Sequence, residues 1–246
     1  MDNSVGIIMP AYNAGSCIKS SIESVLAQSH SNWNLYIIDD ASTDNTREIV
    51  LSFLDSRIIY KRQSKNAGVA MTRNVGIELS NEKYLAFLDS DDIWMPEKLE
   101  MQIKFLEIGY DVVCSNYMIF EDNFDKGKGV RTFSELISIS DMLKSNKVGN
   151  LTGIYNQFNL GKFYQEKIGH EDYFMWLKII SKARFAYCVQ MPLARYRLSP
   201  NSLSGNKLKA AFWQWLIYRK YLNLSIFKSL YFFLFYTYNS LSRKNR

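Results

Sequence analysis

Tyr84-Leu85-Ala86-Phe87-Leu88-Asp89-Ser90-Asp91-Asp92 sets the architecture of this 246-residue chain. Five apolar residues run directly into three carboxylates within four positions. A continuous apolar run is the mark of a strand buried on both faces of a parallel sheet. Open α/β sheets bind their ligands outside the carboxyl ends of such strands. Three acids at one strand end repel one another unless a cation sits among them. An all-oxygen donor set suits Mg2+ or Mn2+, which commonly also take phosphate oxygens from a substrate. The stretch therefore reads either as a metal–diphosphate site at a strand tip or as a polar turn capping the next helix.

Upstream, the same alternation repeats. Residues 4–9 read as a first buried strand, and Pro10-Ala11-Tyr12-Asn13-Ala14-Gly15 as the turn at its end. Ser16 or Ser20 opens a helix to about Gln28, with Ile18, Ile22, Val25 and Leu26 on one face. Leu35 to Ile38 is a second strand, ending in Asp39-Asp40-Ala41-Ser42-Thr43-Asp44. Asp44 fits an N-cap for a helix to about Leu54. A third strand over 57–60, a turn at 65–68 and a helix over 69–79 lead into the central strand. Pro96 sits at the first turn of a helix running to about Glu107. Strand–helix alternation of this kind predicts a mostly parallel sheet with right-handed crossovers. Downstream the pattern loosens. A strand is expected over 111–116, a mobile loop or hairpin tip over 121–131 and a short helix over 134–144. A longer helix is expected from Glu171 to about Lys182, and a strand over 185–190.

The bulk numbers bound the possibilities. A hydrophobic content of 47% is that of a globular protein with a real core. Cys17, Cys114 and Cys188 have no metal-type spacing and read as thiols of a reducing compartment. With only two histidines, His30 and His170, a histidine-rich metal site is excluded. The first strand begins almost at once, so no signal peptide is expected. No stretch reaches the roughly 20 uninterrupted apolar residues that span a bilayer. Charge is split. Residues 173–246 hold 13 Lys and Arg and no acid, leaving 17 against 24 acids in residues 1–172. A basic end of this kind faces an anionic partner, a membrane surface or nucleic acid. Charge alone, with no motif behind it, makes nucleic acid the poorer reading.

In a parallel sheet the polar strand ends lie side by side. Tyr12, Asp39-Asp40 and the acids of 89–92 then form one cleft holding what a nucleotide diphosphate needs: an aromatic to stack on a base, a carboxylate for a ring N–H, and a metal for the phosphates. Arg73, one turn into the helix after Gly68, reaches the base or the phosphates. The plainer alternatives are a packed Tyr12 and a surface Arg73. No Gly-x-Gly-x-x-Gly follows the first strand and no Gly-Lys-Ser/Thr occurs, which excludes the common dinucleotide and P-loop readings.

The motifs Met9-Pro10-Ala11-Tyr12-Asn13, Ile38-Asp39-Asp40-Ala41-Ser42-Thr43-Asp44, Asn66-Ala67-Gly68 with Arg73-Asn74, and Phe87 to Asp92 resemble the family-2 inverting glycosyltransferases in order and spacing. Gly161-x-Phe163, Gly169-His170-Glu171-Asp172, Arg195-Tyr196-Arg197 and 201–204 resemble that family's later motifs. Ala41 departs from the glycine often found there, which puts the local turn geometry in question. The resemblance implies a GT-A fold: Rossmann-like, a mostly parallel sheet flanked by helices. The aromatic and basic residues of the C-terminal segment add the expectation of a helical tail that associates with membranes. Residues 1–105 would form the nucleotide-sugar half, 106–205 the acceptor half and 206–246 the basic aromatic extension.

Roles follow from the same resemblance. Asp40 would read the uracil N–H, with Pro10 and Tyr12 around the base and Arg73 nearby. Asn66, Gly68 and Ser90 would line the donor cleft, and Asp89 would lie near the ribose. Asp91 would hold Mg2+ or Mn2+ against the diphosphate. Asp172 would be the catalytic base, with His170, Glu171 and Arg197 on the substrate. On spacing alone, Glu171-Asp172 is also a helix-start acid pair favoured by the macrodipole, and His170 fits acceptor contact or core packing. The expected reaction moves a hexose, glucose or galactose, from a UDP-sugar to a lipid-diphosphate-linked saccharide such as GlcNAc-diphosphopolyprenol. It would form a β-linkage in surface polysaccharide assembly. The alternatives are a capsular or other glycan transferase with a different acceptor, and a nucleotide-sugar-binding protein without turnover. Aromatics mixed with Lys and Arg over 208–246 suit the membrane interface, which implies a peripheral protein on the cytoplasmic face of the inner membrane. The competing expectation packs that segment on the catalytic domain.

Overall fold

The computed structural model of the chain describes residues 2–121, 127–198 and 207–242. Four strands, β1 (Val5–Ala11), β2 (Trp33–Asp39), β3 (Ile58–Arg62) and β4 (Tyr84–Phe87), pair in parallel in the order β3-β2-β1-β4. Their crossovers are α1 (Ile18–Leu26), α2 (Thr46–Leu51) and α3 (Val69–Leu79). Then follow β5 (Ile93–Trp94), α4 (Lys98–Glu107), β6 (Val112–Phe120), β7 (Gly127–Arg131), β8 (Leu136–Ser138), α5 (Ile139–Lys144), β9 (Ile154–Asn156), α6 (Gln157–Leu160), α7 (Glu171–Ala183) and β10 (Phe185–Arg197). Past β4 the sheet continues through β9, β6, β10 and β5, with β7 on β6 and β8 on β10. The β6–β10 pair is parallel and the other added pairs are antiparallel. The expected parallel order thus holds over the first half of the sheet, and short antiparallel strands complete it.

Every residue of β1 and β4 is buried, which is why the two read as unbroken apolar runs. Alternate side chains part to the two faces. Val5, Ile7 and Met9 join Tyr84, Ala86 and the inner faces of α1 and α4. Ile8 joins Leu85, Phe87, Ile77 of α3 and the apolar side of α7.

Several boundaries differ from the expected ones for identifiable reasons. The helix expected over 134–144 starts only at Ile139. Ser138 and Asp141 form a capping box there, and Leu136–Ser138 pairs with β10 instead. The segment over 121–131 is a hairpin arm: β7 folds back on β6, and its tip lies outside the described residues. β10 runs on to Arg197 because the ladder with β6 shifts register around Pro192 and resumes. Asp44 caps from two residues before α2, accepting from the Thr46 amide at 3.0 Å and the Thr46 hydroxyl at 2.5 Å.

The C-terminal segment forms α8 (Lys207–Leu216), one π-helical turn over Ile217–Tyr221 and α9 (Ile226–Ser242). Part of it belongs to the core, as the competing expectation had it. Ile217 and Tyr218 are fully buried, the Tyr218 hydroxyl donates to the Leu143 carbonyl, and Gln214 donates to the Tyr173 hydroxyl at 3.0 Å. Among the described residues no helix is long and apolar enough to cross a membrane.

Ala41 resolves the question its sequence raised. It holds φ 63, the left-handed region that glycine adopts without strain. An L-residue there costs roughly 1–2 kcal/mol, partly offset by the greater unfolded-state freedom of glycine. Ala41→Gly is therefore expected to stabilise by about 0.5–1 kcal/mol, raising the melting temperature by about 1–4 °C in a thermal melt. A lower melting temperature would contradict the strain.

Candidate active site

The cleft opens where β1 and β4 part. The Leu88 amide donates to the Ile8 carbonyl at 3.0 Å. The next bond of that parallel ladder would come from the residue-10 amide, and Pro10 has none. Pairing therefore stops, and the tips of the two strands diverge. Just past this point Tyr12 is 52% exposed, so its ring is not packed in the core. The loop behind it is zipped to the loop after β2. Asn13, Ala14 and Gly15 donate their amides to Ser42 Oγ, Thr46 Oγ1 and Asp44 Oδ2 at 2.8–2.9 Å.

The two neighbouring acids at the end of β2 do different work. Asp39 is fully buried, accepting from the Ser42 amide at 2.7 Å and the Tyr60 hydroxyl at 2.5 Å, and thereby shapes the turn through Ala41. Asp40 accepts from Gln63 Nε2 at 2.8 Å and from the Ala67 and Gly68 amides at 2.7 and 2.9 Å. It braces the Asn66-Ala67-Gly68 turn, in which Asn66 is exposed and Gly68 adopts φ 90 ahead of α3. Three donors leave one of a carboxylate's four acceptor positions for a ligand N–H.

Arg73 is the hub, and it is not the surface charge of the plainer expectation. It is 7% exposed, with Nη2 on Asp89 Oδ1 at 2.6 Å and Nη1 on Gln165 Oε1 at 3.1 Å. Burial works against its charge. Asp89, and then Asp172 and Glu171, outweigh burial and hold its pKa up. Its Nε is buried with no protein partner, a donor left over for a ligand. Gln165 ties the two halves of the site together. Besides Arg73 it exchanges backbone hydrogen bonds with the Asn74 side chain at 2.7 and 2.9 Å. Nothing in the sequence marked Gln165, which lies 92 positions from Arg73.

The three acids after β4 also separate by role. Asp89 is taken by Arg73. Asp92 is buried and accepts the Arg197 amide at 2.9 Å. Arg197 also donates from Nε to the Asp91 carbonyl at 3.0 Å, so the end of β10 clamps this loop. The Ser90 carbonyl is held by Ser21 at 2.8 Å. Burial, and next the Asp89 carboxylate, push Asp91 above the usual carboxylate range. A divalent cation beside Asp91 would offset both the burial and the Asp89 repulsion. No cluster of three or more His, Cys, Asp or Glu side chains able to hold a metal converges among the described residues. The fit is to an ion bound through Asp91 that keeps other oxygens for phosphate and water, as Mg2+ commonly does.

Across the cleft, α7 begins at Glu171-Asp172. Gly169 at φ 73 and His170 at φ 52 make the left-handed corner that points this first turn inward. Gly169 is needed on a second count: a β-carbon would sit 2.2 Å from the Trp213 ring of α8. His170 leans on the same ring, centroids 5.4 Å apart, with Nε2 3.3 Å from the Ala210 carbonyl, so it packs against α8. Asp172 and Glu171 are partly exposed, and among the described residues no protein hydrogen bond or ion pair occupies either carboxylate. Almost every other acid at this edge is engaged. A free carboxylate at a helix start, facing an arginine that also holds the donor-side acid, can take a proton from an incoming hydroxyl.

Residues 6–175 match the family described as Glycosyl transferase family 2. The chain is 35% identical to a putative teichuronic acid biosynthesis glycosyltransferase, TuaG of Bacillus subtilis, over 98% of this chain and 97% of that one. It is 40% identical to the Escherichia coli UDP-Glc:alpha-D-GlcNAc-diphosphoundecaprenol beta-1,3-glucosyltransferase WfgD, over 87% of this chain and 85% of that one. In structure it is similar to S. aureus TarS 1–349 in complex with UDP-GlcNAc, with TM-score 0.72 and 20% identity, over 91% of this chain and 68% of that one. A parallel sheet with acidic strand tips, the sequence motifs at those tips and near-full-length relatives agree: the chain belongs to glycosyltransferase family 2 and is a glycosyltransferase of GT-A fold.

Proposed function

We propose that the chain transfers a hexose, glucose in the first instance, from a UDP-sugar to a saccharide on a polyprenyl diphosphate, with inversion to a β-linkage. The observation that carries this reading is Arg73. One buried guanidinium binds Asp89 on the donor side and feels Asp172 and Glu171 on the acceptor side. This supports a reading in which donor and acceptor meet beside one guanidinium.

Inversion in a single displacement needs an acceptor oxygen that attacks the anomeric carbon as its bond to the diphosphate breaks. Asp172 takes the proton of that hydroxyl. The electron pair of the broken bond leaves on UDP, and no covalent enzyme intermediate forms. Arg73 steadies the Asp89 carboxylate and offers Nε to the donor. Tyr12 stacks on the base, and Asp40 uses its remaining acceptor position for the uracil N–H. A divalent ion on Asp91 would neutralise the leaving diphosphate.

Glucose and the lipid acceptor are supported by WfgD and by its E. coli counterpart WfaP, 35% identical over 83% of this chain, whose names specify UDP-Glc and GlcNAc-diphosphoundecaprenol. TuaG, matched over almost the whole chain, favours a second reading in which the acceptor belongs to another surface polymer. Either substrate implies work at a membrane surface, which we assign to its cytoplasmic face. The test is UDP release from UDP-glucose, UDP-galactose and UDP-N-acetylglucosamine with a synthetic GlcNAc-diphospholipid, the product anomer read by NMR. A β-glucosylated product is expected. An α-linked product, or no turnover with any donor, would overturn the reading.

A further inference from the structure

α9 is built inside out. Its inner side is held by ring contacts of Phe232 with Tyr218 and Phe233 with Trp215, and by the Asn239 amide on the Lys144 carbonyl at 3.2 Å. The opposite side carries Phe227, Leu230, Tyr231, Leu234 and Tyr238, the last four lying three, four, seven and eleven residues along from Phe227, as one helix face requires. All five are exposed, Phe227 by 81% and Leu234 by 69%. A surface helix normally turns its polar residues outward. Here the outward face is aromatic and aliphatic, and Lys228 is the one charged residue in the helix. A contiguous exposed patch of this kind marks an interaction surface.

The patch runs into a groove of about 570 Å³ between α5 and α9, lined by Ile139, Leu143, Leu224, Phe227, Tyr231 and Phe232. Lys228 also lines the groove, and Lys144 lies 5.5 Å from the exposed Phe235 ring. No acid occurs in the sequence after Asp172. Lys144 and Lys228 put positive charge at the edge of an apolar floor, the Asp141 carboxylate of α5 being engaged by Ser138, and this complements an anionic headgroup layer over hydrocarbon. A second copy of the chain fits less well, because a two-fold interface would bring this lysine-edged patch against itself.

We propose that the outward face of α9 is the membrane-contact surface. The helix lies in the plane of an anionic bilayer, with Phe227, Leu230, Tyr231, Leu234 and Tyr238 in the headgroup–acyl boundary and the α5–α9 groove taking a lipid tail. Its purpose rests on the lipid-linked acceptor proposed above. The surface argument itself does not. The surface and the site are joined by packing contacts. α9 sits on α8 through Phe233 and Trp215, and Trp213 of α8 lies against Gly169 and His170, immediately before Asp172.

The test is flotation of the full-length chain with vesicles of phosphatidylcholine alone or with one quarter phosphatidylglycerol. The variant is Phe227→Glu/Leu234→Glu, and Leu54→Glu is the control, since Leu54 is 100% exposed on a different surface. Wild type and control are expected to float with anionic vesicles, and the double variant to lose at least about tenfold in partitioning at an unchanged melting temperature. Tyr238→Ser, a milder change, is expected to give an intermediate loss if the double variant melts early. Equal flotation of wild type and double variant would overturn the proposal. So would sedimentation showing a wild-type dimer that the variant dissociates while vesicle binding persists. Flotation needs no turnover, so a wrong acceptor assignment would appear only as absent UDP release.

Discussion

Asp172→Asn is expected to leave UDP-sugar affinity within about twofold and to lower transfer by about 10²–10⁴, the usual cost of removing a general base. The side chain keeps its shape, its place in the first turn of α7 and its capacity to accept from a helix amide. What it loses is the charge that would receive the acceptor proton. The location makes this separation of binding from chemistry testable. Among the described residues Asp172 accepts no protein hydrogen bond, so the substitution leaves no buried donor of theirs unpaired and should not unfold the site. Its contribution to holding up Arg73 is secondary to that of Asp89, so the donor side stays in order. Isothermal titration with UDP-sugar and single-turnover kinetics with acceptor measure the two effects apart. Collapse of donor affinity with surviving turnover of bound donor would make Asp172 a binding residue.

The parts of this site that could be read in advance are those written locally in the chain. An apolar run into acids gives a strand tip, Gly68 before a helical pattern gives the α3 corner, and Glu171-Asp172 before Phe174 and Leu177 gives the start of α7. The divisions of labour within each cluster were not legible. Asp39 and Asp40 are adjacent and chemically identical, yet one shapes its own turn and the other ties down a turn near residue 67. Which acid does which depends on backbone amides that only the folded loops bring near. Gln165 is a neutral residue in an irregular stretch, without periodicity to flag it, and its function comes entirely from meeting Arg73 and Asn74.

The same limit applies away from the cleft. Strands of two and three residues, β5, β8 and β9, carry too little pattern to be seen, and together with β7 they supply the antiparallel pairs that make the sheet mixed. Lys98 would pass for a surface residue of a helix. It is fully buried, with Nζ 2.7 Å from Gln102 Oε1 and 3.9 Å from the Trp94 ring centroid, and burial pushes its pKa down to about 7. The C-terminal segment showed aromatics on more than one face. That ambiguity is real: the Ile217–Tyr221 turn faces the core while the outer side of α9 faces away from it.

Asp91→Ala is expected to lower transfer by roughly 10²–10⁴, the equivalent of about 3–5 kcal/mol of lost charge stabilisation on a leaving diphosphate. Of the three acids after β4, Asp89 is neutralised by Arg73 and Asp92 is sequestered under the Arg197 amide. Asp91 is left, with its carboxyl pushed up by burial and by Asp89. A group whose pKa is raised in the folded state binds its proton more tightly there than in the unfolded chain. Ionised Asp91 therefore costs the cation-free protein stability as the pH rises above the usual carboxylate range, and a bound cation reverses that cost. Mn2+ or Mg2+ should accordingly raise the melting temperature of the wild type at neutral pH by mass action and leave Asp91→Ala nearly unmoved. The cation-free variant should melt no lower than the cation-free wild type, because the substitution removes repulsion rather than a partner. Wild-type transfer should fall with EDTA to about the level of the variant and recover on adding the ion back. Full transfer by wild type in EDTA, or equal Mn2+ stabilisation of both proteins, would remove Asp91 from the cation site.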